Sequence, residues 1–447
     1  MPKDDDTRTE IALSADTTFD AICSSAIRGK TQFRAESAKL EDGNTLSAKT
    51  GVDGRFGGLK GSITGSREKH FQNAEQVLKS AYTNQMGQPP SPQVQKMMGD
   101  AVRGKLAGAA DLNAALGQIR DTCHQEIIAN LKQGVNDPTK AQAIDSIVGE
   151  MAKSATNNRS ILDVNKAQQY KTLVADSTPA EAVKLAKKML QDDGSYGNGQ
   201  NVARSLLSRD DISTDQMCEI YGTELRKHLE APSTNDGNIL RGNTAVTGFS
   251  RECMKQYGAQ YVQDAVTSAQ TKANAMTDPT ADDISTALLE SLSEQEDSMS
   301  PEMKQFAGTG YKTAQDVLGA SGANAARLGA NAPKSVLTDA IVLRSVNPSI
   351  TDTGVAPPFG TNTMGASKSL QKQANNALTN TVGANETPRQ ATAKQSFLTL
   401  CDSVGQNNGT AIKPQNTRQA AHIGGGPPRP VGDLAQQVAN RARGPRN

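Results

Sequence analysis

Three basic side chains stand where a fixed positive charge could act on another molecule. Arg241 lies in "NILRGNTAVTGF" (238–249), between two apolar residues and a glycine, just after the polar run "APSTNDG". Its guanidinium is planar, always charged and able to donate to two oxygens at once. A helix is expected to begin a few residues later, and a cation at a helix N-terminus gains nothing from the dipole. A solvated loop charge therefore has no local support, and a group aimed at an anion is the sharper reading. Arg344 lies in "AIVLRSVNPSI" (340–350), near a helix C-terminus, where a cation is favoured by the dipole and common. Lys368, in "SKSLQKQANN" (367–376), reads on its own as an exposed helical lysine, with Gln371 and Asn375 completing the same helix.

Self-contained chemistry finds little footing. The chain has four histidines: His70, His124, His228 and His422. "DTCHQE" sets Cys123 beside His124, but sequence neighbours on a helix point to different faces. "SSAIRGKT" approaches a phosphate-binding loop, yet Ser24 occupies the place of its first glycine. Gly54, Gly57 and Gly58 have no strand before them, and neither GxSxG nor a kinase signature set occurs. No cofactor of the chain's own is expected, and no metal. The formal net charge is +1, with no clustered Lys/Arg or interleaved aromatics, which argues against nucleic acid. Cys23, Cys123, Cys218, Cys253 and Cys401 are scattered, without a CxxC pair, and read as reduced, mostly core thiols. Chemistry performed together with a partner is what remains.

The elements that must position these residues read as helices. Alternating β-branched runs are nearly absent, so the expected class is all-α. Residues 1–66, including "EDGNTLSAKTGVDGRFGGLKGSITGS", are expected to be flexible. A helical region of unassigned role follows over 67–190, with stripes at Val77, Leu78, Tyr82 and at Leu116, Ile119, Cys123, Ile127, Leu131. Its breaks fall at "GQPPSPQ" and "GVNDPT". "LQDDGSYGNGQN" (190–201) reads as the clearest internal boundary. Beyond it, Met217, Ile220, Tyr221, Leu225 and Leu229 form one stripe, and Val246, Phe249, Cys253, Tyr257 and Val262 another. "SVLTDAIVLR" and "KSLQKQANNAL" supply two more short helices, and 406–447 forms a polar tail that ends basic. No apolar run is long enough to span a bilayer.

Taken in order, "ILRGNTAVTGFSRECMKQYGAQYVQDAV" from 239, "AIVLRSVNPSI" from 340 and "SKSLQKQANN" from 367 resemble the catalytic domain of Ras GTPase-activating proteins, the neurofibromin type in particular. That family carries an "LFRGNS" finger loop, an "FLRFxNPAI" block and an "SKxLQxxAN" helix, in this order. "SPEMKQF" at 300 is similar to its Pro-containing stretch between the first two. The resemblance covers 195–405 and leaves 67–190 without a match.

The resemblance implies a helical domain that stimulates GTP hydrolysis by a GTP-bound Ras-family small GTPase. Arg241 would be the catalytic arginine finger, its side chain reaching the phosphates and its carbonyl steadying the GTPase glutamine. Gly242 and Asn243 would let the loop turn into the next helix. Arg344 would brace the loop, with Asn347 and Pro348 stopping the helix behind it. Lys368 would meet the GTPase switch regions, with Gln371 and Asn375 on the same helix. GTP and magnesium would belong to the GTPase, which would also bring the chain close to a membrane peripherally. The chain departs from the pattern at Leu240 and Val342, where the family has Phe, and at Ser345, where it has a large apolar residue. These lighten the expected aromatic packing around the loop. A helical scaffold that binds a GTPase without accelerating it stays open as the alternative.

The first residues, "MPKDDDTRTEIALSADTTFD", show neither the basic nor the apolar region of a secretory signal peptide, so a cytosolic location is expected. The polar ends and the arginines at 429, 441, 443 and 446 suit a bacterial effector secreted into a host cytosol, with virulence as its setting. A merely solvated basic tail is the plain alternative.

Overall fold

Helix starts are encoded locally by short polar side chains followed by proline or by a carboxyl or amide three residues on. In the computed structural model, Asp137 accepts the Thr139 and Lys140 N–H groups at 2.8 and 3.3 Å and opens α3. Thr178 with Glu181, Ser213 with Gln216 and Thr280 with Asp283 close reciprocal capping boxes at α5, α7 and α10. The structure describes residues 72–408, apart from 73–74, 77, 81, 84–87, 104, 110–111, 159–160, 235–238, 352–356 and 384–385. The elements run α1 (Pro92–Arg103), α2 (Leu112–Lys132), α3 (Pro138–Asn157), α4 (Val164–Val174), α5 (Pro179–Asp192), α6 (Tyr196–Leu207), α7 (Thr214–Glu230), α8 (Ala245–Tyr257) and α9 (Ala259–Asn274). They continue as α10 (Ala281–Glu294), α11 (Pro301–Ala320), α12 (Gly322–Leu328), α13 (Ala332–Thr338), a π-helical segment (Asp339–Val346), α14 (Asn347–Thr351), α15 (Thr363–Leu378) and α16 (Pro388–Asn408). The fold is all-α, with no strand among the described residues. The expected flexible N-terminus (1–66) lies outside them, as does the expected tail beyond Asn408.

One contiguous apolar core runs from Leu78 to Val404. The α7 stripe Met217, Ile220, Tyr221, Leu225 and Leu229 is fully buried, each large apolar side chain contributing about 1.5–3 kcal/mol. Helix α11 buries Met303, Phe306, Tyr311 and Val317 and packs against α7, α13 and α16. Phe306 stacks on Tyr221 with ring centroids 4.3 Å apart and meets Phe249 at 6.5 Å and Tyr257 at 6.0 Å. Two of these rings, Phe249 and Tyr257, come from α8, and Leu240 and Val342, where aromatic residues were expected, are buried.

Two expectations need correction. The polar stretch expected as a boundary at 190–201 contains only a short break after Asp192, and Tyr196 already begins α6. Its glycines serve packing: a Cβ at Gly199 would lie 1.9 Å from the Ala245 carbonyl oxygen, and one at Gly248 would lie 2.1 Å from that of Tyr196. Helices α6 and α8 therefore cross at a distance only paired glycines allow. The stripe expected from Val246 to Val262 is divided between two helices, since α8 ends at Tyr257 and α9 begins at Ala259. At the corner, a Cβ on Gly258 would meet the Met254 carbonyl oxygen at 2.7 Å and Ser345 Oγ at 3.1 Å. Glycine and the small Ser345 together let the bend close onto the π-helical segment. Among the described residues, no helix is long and apolar enough to cross a membrane.

Candidate functional site

The segment from Ile239 to Thr244 leads into α8, and its backbone is held at Ile239, Leu240, Gly242 and Thr244. His228 Nε2 donates to the Ile239 carbonyl at 2.6 Å, and burial lowers the pKa of this imidazole. The Thr244 N–H donates to Thr247 Oγ1 at 3.0 Å, and that hydroxyl sits 2.7 Å from the Gly242 carbonyl oxygen. The Ala245 N–H donates to the Gly194 carbonyl at 2.7 Å, stitching the loop's exit to the turn ahead of α6. Gly242, half-buried, and Asn243, exposed, occupy the tight turn.

Arg344 reaches this loop from the π-helical segment. Its Nη2 donates to the Leu240 carbonyl oxygen, with that of Gly242 at 3.4 Å, and its guanidinium carbon lies 5.8 Å from the Tyr196 ring centroid. Burial lowers its pKa, opposed by Tyr196 and Asp339. Asp339 approaches from the same segment, its side chain 4% exposed, with its Oδ1 3.9 Å from Arg241 Nε. Burial pushes this carboxyl up to about 6, with Arg241, Arg344 and the Leu240 N–H acting in the opposite direction. The π geometry explains the pairing. In an α-helix, residues five apart point to different faces. With i→i+5 bonds, seen where the Asn347 N–H meets the Val342 carbonyl, they stack one turn apart. Arg344 thus holds the Leu240 carbonyl while Asp339, from the same face, sits beside Arg241.

The Arg241 side chain remains 35% exposed. Its Nη2 donates to Asn375 Oδ1 at 2.5 Å, and its Nε lies 3.9 Å from Asp339 Oδ1. Asn375 comes from α15, whose inner face packs on α10 through Ser369 and Gln373: Ser285 and Ser369 hydroxyls are 2.8 Å apart, and Gln373 Nε2 donates to Ser285 Oγ at 2.5 Å. On the outer face, Lys368 is exposed, while Gln371 and Asn375 are half-buried. Met364, one turn before Lys368, is 58% exposed. These four share a helical face, and the stripe ends on the residue that holds Arg241. Asn347, half-buried at the start of α14, has a buried Oδ1 without a hydrogen-bond partner.

The structure thus brings Arg241, Gly242, Arg344 and Asn375 together, and sets Lys368 and Gln371 further along the α15 face. Sequence reasoning missed Asp339, Tyr196 and Thr247. Of these, Asp339 left a trace, as an acid inside the apolar run "LTDAIVL". A groove of about 730 Å³ lies along the far half of α8, lined by Arg204, Glu252, Lys255, Val262 and Ile350, and includes none of the expected site residues. A charge presented to a partner requires no cavity around it. Cys123 is buried with its thiol pushed up to about 12, and neighbouring His124 Nε2 accepts the Leu162 N–H at 3.2 Å. Among the described residues, no group of three or more His, Cys, Asp or Glu side chains is arranged to hold a metal ion. Comparison with protein-family models, curated proteins and solved structures returned no match to this chain.

Proposed function

We propose that this chain is a GTPase activator, supplying Arg241 in trans to a GTP-bound Ras-family small GTPase. The observation that carries the reading is a partly exposed guanidinium on a loop whose backbone is held by Arg344, with the Asp339 carboxylate beside it. The order of the three sequence motifs adds the identity of the partner. Hydrolysis of GTP requires neutralising charge that develops on the transferred phosphoryl group, so a positioned cation is enough to accelerate it. Bracing matters because a guanidinium that keeps its place loses little entropy when the phosphates arrive. Arginine fingers in Ras-type systems contribute roughly 10³–10⁵ in rate, a figure from that family and not from this chain.

In this reading, the Arg241 carbonyl steadies the GTPase glutamine, Gly242 and Asn243 shape the turn, and Arg344 keeps the loop from collapsing. The Met364, Lys368 and Gln371 face of α15 receives the switch regions. The nucleotide and its magnesium arrive with the GTPase. The test is complex formation with a GDP-loaded Ras-family GTPase in the presence of aluminium fluoride, which imitates the transferred phosphoryl group. Wild type forms the complex and Arg241→Ala does not. Equal complex formation by both proteins would favour a scaffold that binds without accelerating.

A further inference from the structure

The docked arrangement of Arg241 uses two acceptors of different character. Asn375 Oδ1 takes a hydrogen bond from Nη2 at 2.5 Å, while the Asp339 carboxylate lies 3.9 Å from Nε, too far for a hydrogen bond. Asp339 thus acts on Arg241 through its charge, from a nearly dry position although the guanidinium itself is partly exposed. We infer that Asp339 is a positioning residue that, as a carboxylate, holds the Arg241 guanidinium in its docked orientation beside Asn375. The functional meaning of that orientation rests on the reading of Arg241 as a phosphate-directed finger.

The surroundings make the charge of Asp339 the variable. Arg241 faces it from the loop and Arg344 from its own segment. Tyr196 from α6 and Arg251 from α8 act on Arg344, one step removed. Asn375, from α15, is uncharged. Protonation of Asp339 therefore leaves two guanidinium groups without their shared counter-charge, while the packing around Leu240 stays. Asparagine at 339 reproduces that state, since it matches the protonated carboxyl in size and carries no charge. Burial sets the carboxyl near pH 6, so the same change is reached without mutation by mild acidification.

The test begins without any GTPase. In ¹⁵N-labelled full-length protein, the Arg241 Nε–H resonance, assigned by its loss in Arg241→Lys, is followed from pH 7.5 to pH 5. It is expected to titrate with a midpoint near 6, that expected of the buried Asp339 carboxyl. In Asp339→Asn it should be invariant and sit at the wild-type acid limit. Absence of titration in wild type, or the same titration in the variant, overturns the inference, and the wild-type arm holds even if the variant fails to fold. The second arm measures single-turnover stimulation of a GTPase against its intrinsic rate over the same pH range. Wild-type stimulation should fall on acidification. Asp339→Asn should be flat with pH and lower by on the order of tenfold, since small misplacements of a catalytic group are costly. Asp339→Glu should restore part of the pH dependence. Titration of the resonance with no stimulation of any GTPase would sink the finger reading and leave the positioning role standing. Stimulation that Asp339→Asn leaves unchanged would do the reverse.

Discussion

The glycine crossing of α6 and α8 makes a prediction that joins packing to the site. In Gly199→Ala, the new methyl would start 1.9 Å from the Ala245 carbonyl oxygen, against 3.4 Å or more for an ordinary contact. The helices must separate there by about 1.5 Å, the kind of shift that makes overpacking cost roughly 1–3 kcal/mol. Helix propensity returns about 1 kcal/mol for Gly→Ala. A net loss of up to about 2 kcal/mol is expected, read as a lower urea midpoint. The displaced turn carries the Ala245 N–H to Gly194 bond and the Thr247 hydroxyl that faces Gly242, so the Arg241 loop moves with it. A displacement near 1 Å costs up to about 10²-fold in a positioned reaction. Stimulated hydrolysis should therefore fall further than stability alone explains. Gly149→Ala is the control: it lies within α3 with nothing inside 4 Å of a Cβ, and should gain up to about 1 kcal/mol without touching activity. Gly199→Ala at wild-type stability, with unchanged stimulation, would refute the reasoning that links this crossing to the loop.

Further outcomes follow from the contacts around Leu240. Arg344→Ala leaves the buried Leu240 carbonyl without its donor, at a cost of about 1–3 kcal/mol in urea unfolding, and should remove most stimulation while sparing binding to the GTP-bound GTPase. Arg344→Lys should not restore it, because a compact ammonium does not reproduce a planar guanidinium whose Nη2 reaches both carbonyls from beside the Tyr196 ring. Asp339 also marks the pH dependence of stability. Its folded pKa, raised to about 6 from 3.8, means that the folded chain binds more protons than the unfolded one between those values. Its contribution is thus favourable below about pH 4 and is lost as pH rises through 6, by about 3 kcal/mol in all. The stability difference between wild type and Asp339→Asn, measured by urea unfolding from pH 4 to pH 7, should show this slope; a constant difference would exclude it.

Much of the fold was legible where a single helix face decides burial. Met217, Ile220, Tyr221, Leu225 and Leu229 repeat at helical spacing and are all buried. The breaks at "GQPPSPQ" and "GVNDPT" correspond to α1 starting at Pro92 and α3 at Pro138. What escaped were features set by close approach between distant segments. Gly199 looks like a loop residue in sequence because its role depends on Ala245, and Gly258 looks like an ordinary helical interruption because its role depends on Met303 and Ser345. The π-helical segment left no sequence mark, since its register comes from packing and not from propensity. Within the site, the types and order of Arg241, Arg344 and Lys368 were readable. The junction of Arg241 with Asn375, and the part taken by Asp339, required the fold.

The central claim is that Arg241 completes another protein's active site. Single-turnover GTP hydrolysis by a panel of Ras-family GTPases, with wild type and with Arg241→Ala, tests it most directly. At least one GTPase should be accelerated by wild type, with the acceleration lost on the order of 10³-fold in Arg241→Ala and binding to the GTP-bound form largely kept. A wild-type protein that binds a GTPase yet leaves its hydrolysis at the intrinsic rate, or an Arg241→Ala variant that stimulates as well as wild type, would contradict it.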